Sequence, residues 1–194
     1  MTSNLHGKNI LVFAATGAIA GRAATKFAAA GAHVWVSGHD GERLQSLVEE
    51  IRSADGVVNC DEVDATDANA VADYVTRVAA QTGHIDGVFN GIGGRPAGLK
   101  YPAVSVTQPI DDFMVPLQRI VGSQFLSARE AAKHMTTQPN GGSIVLLSAT
   151  LSGMTAPFMA GISATQGAIE AMGRSLAGEF GPGGVRVNTV RGSA

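Results

Sequence analysis

The sequence predicts an α/β fold built on a doubly wound parallel sheet, and two observations carry that expectation. Apolar runs recur at 10–14, 34–37, 57–63, 85–89, 144–148 and 185–190. Runs without polar alternation suit strands covered on both faces, as parallel strands are. Between them lie stretches with helical patterning at 19–30, 41–54, 67–82, 111–137 and 158–180. Strand–helix alternation of this kind builds a layered sheet with helices on both sides.

Taken in order, each element has its own punctuation. The first strand runs into a Gly-containing turn and a helix of small residues, Ala15 to Ala23. Asp40 and Asp67 stand where side-chain caps open the second and third helices, and Gly31, Gly56 and Gly83 follow the ends of the first three. After the fourth strand comes an irregular stretch at 91–109, holding several Gly and Pro residues, which reads as a ligand-facing loop. The fifth strand, a long helix and the sixth strand complete the alternation.

With 194 residues, 45% hydrophobic and 15% charged, the chain has the size and balance of one domain spanning 1–194. A formal charge of −2 and a pI near 6.2 leave no basic footprint for nucleic acid or an anionic membrane. The single cysteine, Cys60, has no bridge partner and reads as a small buried hydrophobe. The N-terminus lacks an apolar signal core, and no apolar run reaches the roughly 18 residues of a membrane span, which predicts a cytoplasmic protein. No histidine or cysteine spacing suggests a metal site.

The turn after the first strand is the most informative segment. Gly17 and Gly21 would let the backbone turn sharply and approach a pyrophosphate, whose charge a helix N-terminus favours; Ala23 would allow close helix–strand packing. A strand-to-helix turn needs glycine in any case, so the spacing carries more than the composition. Gly-x-x-x-Gly-x-Ala resembles the fingerprint of the short-chain dehydrogenase/reductase family. Four further stretches match that family in order: Asp64-Ala65, Asn90-Gly91-Ile92-Gly93, the strand at 142–148, and RSLAGEFGPGGVRVN at 174–188. Read alone, Asp64 is equally a strand-end acid and Asn90 a turn former.

The resemblance implies a Rossmann-type three-layer fold with six strands in the order 3-2-1-4-5-6, the family's seventh strand and substrate-covering segment being absent from this sequence, so that the chain reads as truncated there. It also implies a nicotinamide dinucleotide held by Gly17, Ile19, Ala20, Gly21, Arg22, Gly38, His39, Asp64, Ala65, Asn90, Gly91 and Ile92. NADP(H) is favoured over NAD(H), because Gly38 stands where NAD-selecting relatives carry a carboxylate and His39 where NADP-selecting ones carry Arg. Asp40 complicates this unless it caps the next helix. Arg22 reads equally as a phosphate contact and as a solvated helix residue.

At the catalytic end the family pattern fails. Relatives carry a Tyr-x-x-x-Lys pair, a serine and a helical asparagine for proton transfer, as acid–base chemistry near neutral pH requires. Here the tyrosine and lysine positions fall on Ile162 and Gln166, the serine position on Ala149, and the asparagine position on Ile120. Isoleucine has no ionisable proton, and a glutamine amide carries no charge to depress a neighbour's pKa. Ser148 is a weak substitute, and Thr150, Ser163, Lys100 and Tyr101 are other polar groups near the expected pocket. The family's Pro-Gly after the sixth strand is replaced by Gly192-Ser193.

Two functions follow. One is a family oxidoreductase that transfers hydride between the cofactor and a small-molecule carbonyl or alcohol with a degenerate proton-transfer set. The alternative is a catalytically silent dinucleotide-binding module, acting as redox sensor or partner subunit. The resemblance also implies a homodimer or homotetramer formed through the helices at 111–137 and 158–180.

Overall fold

The computed structural model describes residues 5–94 and 96–193. Six parallel strands form one sheet in the order β3-β2-β1-β4-β5-β6, as expected. They are β1 (Asn9–Phe13), β2 (His33–Gly38), β3 (Val57–Glu62), β4 (Gly87–Asn90), β5 (Gly142–Ala149) and β6 (Val185–Gly192). The helices are α1 (Ala18–Ala29), α2 (Gly41–Ser53), α3 (Ala68–Thr82), α4 (Ile110–Pro116), α5 (Gly122–Met135) and α6 (Ala160–Phe180).

Successive side chains of β1 serve two cores, as the two-residue period of a strand requires. Ile10 and Val12 pack with Val34, Val36 and the inner faces of α1 and α2. Leu11 and Phe13 pack on the other face with Val88, Ile144, Leu146 and residues of α3, α5 and α6. On α1 the alanines that approach the sheet are Ala20, Ala24 and Ala28; Ala23 is only half-buried, so the close-packing position lies one residue later than expected.

The expected single helix over 111–137 is broken. Pro116 lacks an N–H for the helical ladder, and the turn after it widens, with the Gly122 N–H donating to Leu117 O five residues back. Leu117–Val121 thus forms a π turn between α4 and α5. The fourth strand begins at Gly87 rather than 85, because the side-chain amide of Gln138 takes both the N–H and the carbonyl of Ile85. Asp40 and Asp67 do cap their helices, accepting from Arg43 N at 3.1 Å and from Asn69 N at 2.8 Å. After α2 the left-handed residue is Asp55, not Gly56. Gly56 is needed for space: a Cβ there would lie 2.6 Å from the Ile51 side chain. Cys60 is half-buried and accepts from the Gln45 amide, so it is not the core hydrophobe expected.

Candidate functional site

The strand order reverses direction between β1 and β4, and the loops leaving their carboxyl ends part there, which is where open α/β sheets bind ligands. Ala14 turns the chain with φ of +55°, and the Ala15 N–H donates to Ser37 O at 2.9 Å, tying the end of β1 to that of β2. Gly17 then opens α1 with no side-chain cap and no acidic residue in the first turn. The first N–H groups of α1 therefore keep their capacity for an anion.

Gly21 is also required for packing. A Cβ on it would point at Ala15 O, at 2.9 Å, so the glycine lets the helix sit against the preceding turn. Gly91 does the same from the other side, since its Cβ would lie 2.5 Å from that of Ala20. The three segments that would border a pyrophosphate are thus pressed together through missing or small side chains. Ile19 is exposed on the first turn of α1. Arg22 is solvated and lies 3.7 Å from Glu50 on α2, which leaves its expected phosphate contact without support.

At the next strand end, Gly38 is buried against Thr16 and His39 is exposed. The Asp40 carboxylate is engaged as the α2 cap, and that of Glu62 lies against Gly41. Asp64 accepts from the hydroxyl and N–H of Thr66 at 2.7 and 2.8 Å. Those two bonds, with the charges of His39 and Arg119, hold its carboxyl below the usual range against a smaller opposing cost of burial. Ala65 packs half-buried beside it. Trp35 is buried in the core, its ring 4.6 Å from that of His33.

Asn90 is fully buried and donates to Ser127 Oγ at 2.6 Å and to Gln124 O at 3.3 Å. Gln124, which sequence reasoning missed, donates to Ile92 O and Leu147 O at 3.3 and 3.0 Å and so joins the loop after β4 to the end of β5. Asn90 Oδ1 and Gln124 Oε1 are buried without a partner. A glutamine one helical turn beyond Ile120 on the same face was the available signal.

The residues that the sequence aligned with the family's proton-transfer positions are brought near one another and are mostly apolar. Ile120 in the π turn and Ile162 at the start of α6 are both 3% exposed and belong to one core cluster. Gln166 turns its Oε1 to the N–H of Ala149, at 2.9 Å, and so secures the end of β5. Ser148 is directed away from the cleft: its hydroxyl donates to the Glu170 carboxylate at 3.0 Å. Thr150 begins a single 3₁₀ turn, and Ser163 is half-buried on α6. Lys100 lies 3.8 Å from Asp112, and burial raises the pKa of the Tyr101 phenol.

Glu170 is the second residue missed. It also accepts from Ser152 Oγ at 2.5 Å and from Arg191 Nε and Nη2 at 2.9 and 2.6 Å. The Arg191 and Ser152 bonds bring its pKa down to about 2. One acid thereby fastens the ends of β5 and β6 to α6. Its place one turn after Gln166 was visible in the sequence, but its partners come from two other elements. Two recesses lie outside the cleft: about 390 Å³ at the amino ends of β1, β4 and β5, bordered by Phe27 and Phe89, and about 490 Å³ beside Glu170, Arg174 and Arg191.

Among the described residues there is no group of histidine, cysteine and carboxylate side chains that could hold a metal, and no helix is long and apolar enough to cross a membrane.

Residues 14–193 match the family model described as Enoyl-(Acyl carrier protein) reductase. A probable 2,4-dienoyl-CoA reductase of Bacillus subtilis is 26% identical over 86% of this chain and 64% of its own length. An uncharacterised oxidoreductase of Mycobacterium tuberculosis is 29% identical over 96% of this chain and 67% of its own length. The chain thus spans about two thirds of the length of these curated relatives. Among solved structures, NAD⁺-bound xylitol dehydrogenase superposes with a TM-score of 0.90 at 28% identity, covering 97% of this chain and 71% of that one. The citronellol catabolism dehydrogenase of Pseudomonas aeruginosa gives 0.86 at 30% identity, covering 98% and 76%. Sequence fingerprint, sheet order and these matches agree: the chain belongs to the short-chain dehydrogenase/reductase family.

Proposed function

We propose that this chain binds NADP(H) in preference to NAD(H) across the carboxyl ends of β1, β2 and β4, as the cofactor-binding part of a family oxidoreductase acting on a small-molecule carbonyl or alcohol. The observation that carries this reading is the uncapped, acid-free N-terminus of α1 at the point where the strand order reverses. The first N–H groups of α1 suit a pyrophosphate. Gly38 offers no acid against a 2′-phosphate, His39 is free to face one, and Asp40 is occupied as a cap. Asp64 and the Asn90–Ile92 segment border the adenine and nicotinamide sides. When bound, the nicotinamide supplies hydride exchange with the substrate.

Ile162 can neither give nor take a proton, and Gln166 fixes the backbone at Ala149 rather than tuning a phenol. Positioning of cofactor and substrate is what remains to this cleft, with the proton exchanged with water. The same two residues favour a second reading, a silent dinucleotide-binding module that senses cofactor or supports a partner. Titration with NADPH and NADH, followed by nicotinamide fluorescence, tests the first; NADPH is expected to bind about tenfold tighter, a difference of about 1.4 kcal/mol. Absence of binding by either overturns both readings. Binding without consumption of NADPH across a panel of ketones and aldehydes selects the second.

We further infer self-association through α5 and α6, supported by the exposed Phe125 ring beneath the Arg129 guanidinium on α5. A cytoplasmic setting is supported by the single free cysteine.

A further inference from the structure

The loops after β4 and β5, with the first residue of α4, carry most of the large apolar side chains that stand more than half exposed. Val104, Val106, Ile110, Met154 and Phe158 are between 52% and 92% exposed, and they make up five of the seven large apolar residues that are more than half exposed among the described residues. The exposure is therefore concentrated, and a concentrated apolar patch marks a binding surface where scattered residues mark nothing. The two loops are also built as one unit. The Ala103 N–H donates to Phe158 O at 2.9 Å, and the Gln108 amide donates to Lys100 O at 3.3 Å, folding the first loop back on itself. Phe158 has φ of +66°, a backbone region disfavoured for a residue with a Cβ, yet its ring stands in solvent.

These loops leave the carboxyl ends of adjacent strands, so they form the rim of the cleft described above. Beneath the rim the core is apolar as well: Ile92, Leu99, Ile120 and Ile162 belong to one buried cluster, against which Tyr101 and Met159 pack. The charges at the rim do not favour an anion. Lys100 is 3.8 Å from Asp112, Asp111 adds a second carboxylate to the first turn of α4, and Arg119 is held on Gly98 O at 3.4 Å.

We propose that the two loops form the mouth of a subsite for an uncharged, largely apolar carbonyl or alcohol, whose alkyl chain of several carbons lies on Val104, Val106, Met154 and Phe158. The inference rests on the oxidoreductase reading for the polar end of that molecule; recognition of its chain requires no turnover.

The full chain, with and without NADPH, is titrated calorimetrically with decan-2-one, butan-2-one and decanoate. Full burial of a methylene is worth about fourfold in affinity and an exposed rim covers the six extra methylenes only in part, so decan-2-one is expected to bind on the order of a hundredfold tighter than butan-2-one, with decanoate much weaker than the ketone of the same length. Val106→Ser with Phe158→Gly should weaken decan-2-one about tenfold and leave NADPH affinity unchanged; glycine accepts the positive φ, and both side chains are exposed. If that pair fails to fold, Val106→Ser with Met154→Gln takes its place. Equal affinity for the two ketones, decanoate binding as tightly as decan-2-one, or variants without effect overturns the subsite. Variants that turn an oligomer into monomers in sedimentation, with ketone binding intact, overturn it in favour of a contact between copies. Loss of NADPH binding with chain-length dependence retained defeats the oxidoreductase reading alone.

Discussion

The two ends of the cleft are built on different principles. Around β1, α1 and β4 the proposed ligand surface is backbone: N–H groups at the start of α1, brought close by Gly17, Gly21, Ala20 and Gly91. Around β5 and α6 the family's chemistry belongs to side chains, and the positions that the sequence aligned with them hold Ile120, Ala149, Ile162 and Gln166 while the strands and helix stay in place. A backbone surface depends on which residues are small, so a larger side chain breaks the fold and the site together. A side-chain site can lose its chemistry while the packing survives, because isoleucine fills the core as well as an aromatic ring of similar reach.

The largest test of this contrast is Gly21→Val. Its side chain would meet Ala15 O, which costs about 1–3 kcal/mol of stability and displaces the turn beside the expected phosphate. Cofactor affinity should fall about a hundredfold, and thermal unfolding with NADPH titration on the folded fraction measures both. Undiminished affinity would remove the turn from the site.

Next in size is Glu170→Gln at the other end. The carboxyl's folded pKa of about 2 lies below its ordinary value of 4.5, so its stabilisation is complete above about pH 4.5 and is lost as pH falls towards 2. Because Arg191 is half-exposed, the contribution is about 1–2 kcal/mol. Urea unfolding between pH 7 and 2.5 should show a shallower acid loss in the variant, whereas parallel curves would show that Glu170 is not held as described.

A smaller effect is expected from Gly38→Asp. An acid there should repel a 2′-phosphate and reverse an about tenfold preference for NADPH, seen in paired titrations. The Cβ would lie 3.1 Å from the Thr16 methyl, which can rotate away. An unchanged NADPH-to-NADH ratio would place the 2′-position elsewhere.

The smallest is the combined change Ile162→Tyr, Gln166→Lys and Ala149→Ser. A positioned general acid is worth roughly 10²–10⁴-fold, but Gln166→Lys removes the bond to Ala149 N and puts an ammonium in a buried place. Ketone reduction by a folded, NADPH-binding triple variant should rise by less than about tenfold. A gain of the full range would show an intact pocket lacking only its donor.

The elements were legible because local rules made them so: unbroken apolar runs for buried parallel strands, Asp40 and Asp67 for helix starts, and the glycine spacing after β1. The break at 116–121 was less so, since Pro116 sits in a pattern otherwise suited to one helix and the compensating wide turn depends on Ile120 reaching the core. The choice between the two readings of Arg22 was not legible, because a position on a helix does not tell which neighbour a long side chain meets.

What the sequence determined by itself is the strand–helix order, the glycine turn and the presence of Ile162 and Gln166 on the long helix, because each is written in residue type and spacing. Only the tertiary structure decided that Gly21 serves packing against Ala15, that Gln124 joins β4 to β5, and that Glu170 gathers Ser148, Ser152 and Arg191. The reason is physical: these contacts join residues far apart in the chain, and a buried amide or carboxylate takes its role from whichever partners the packing of separate elements delivers.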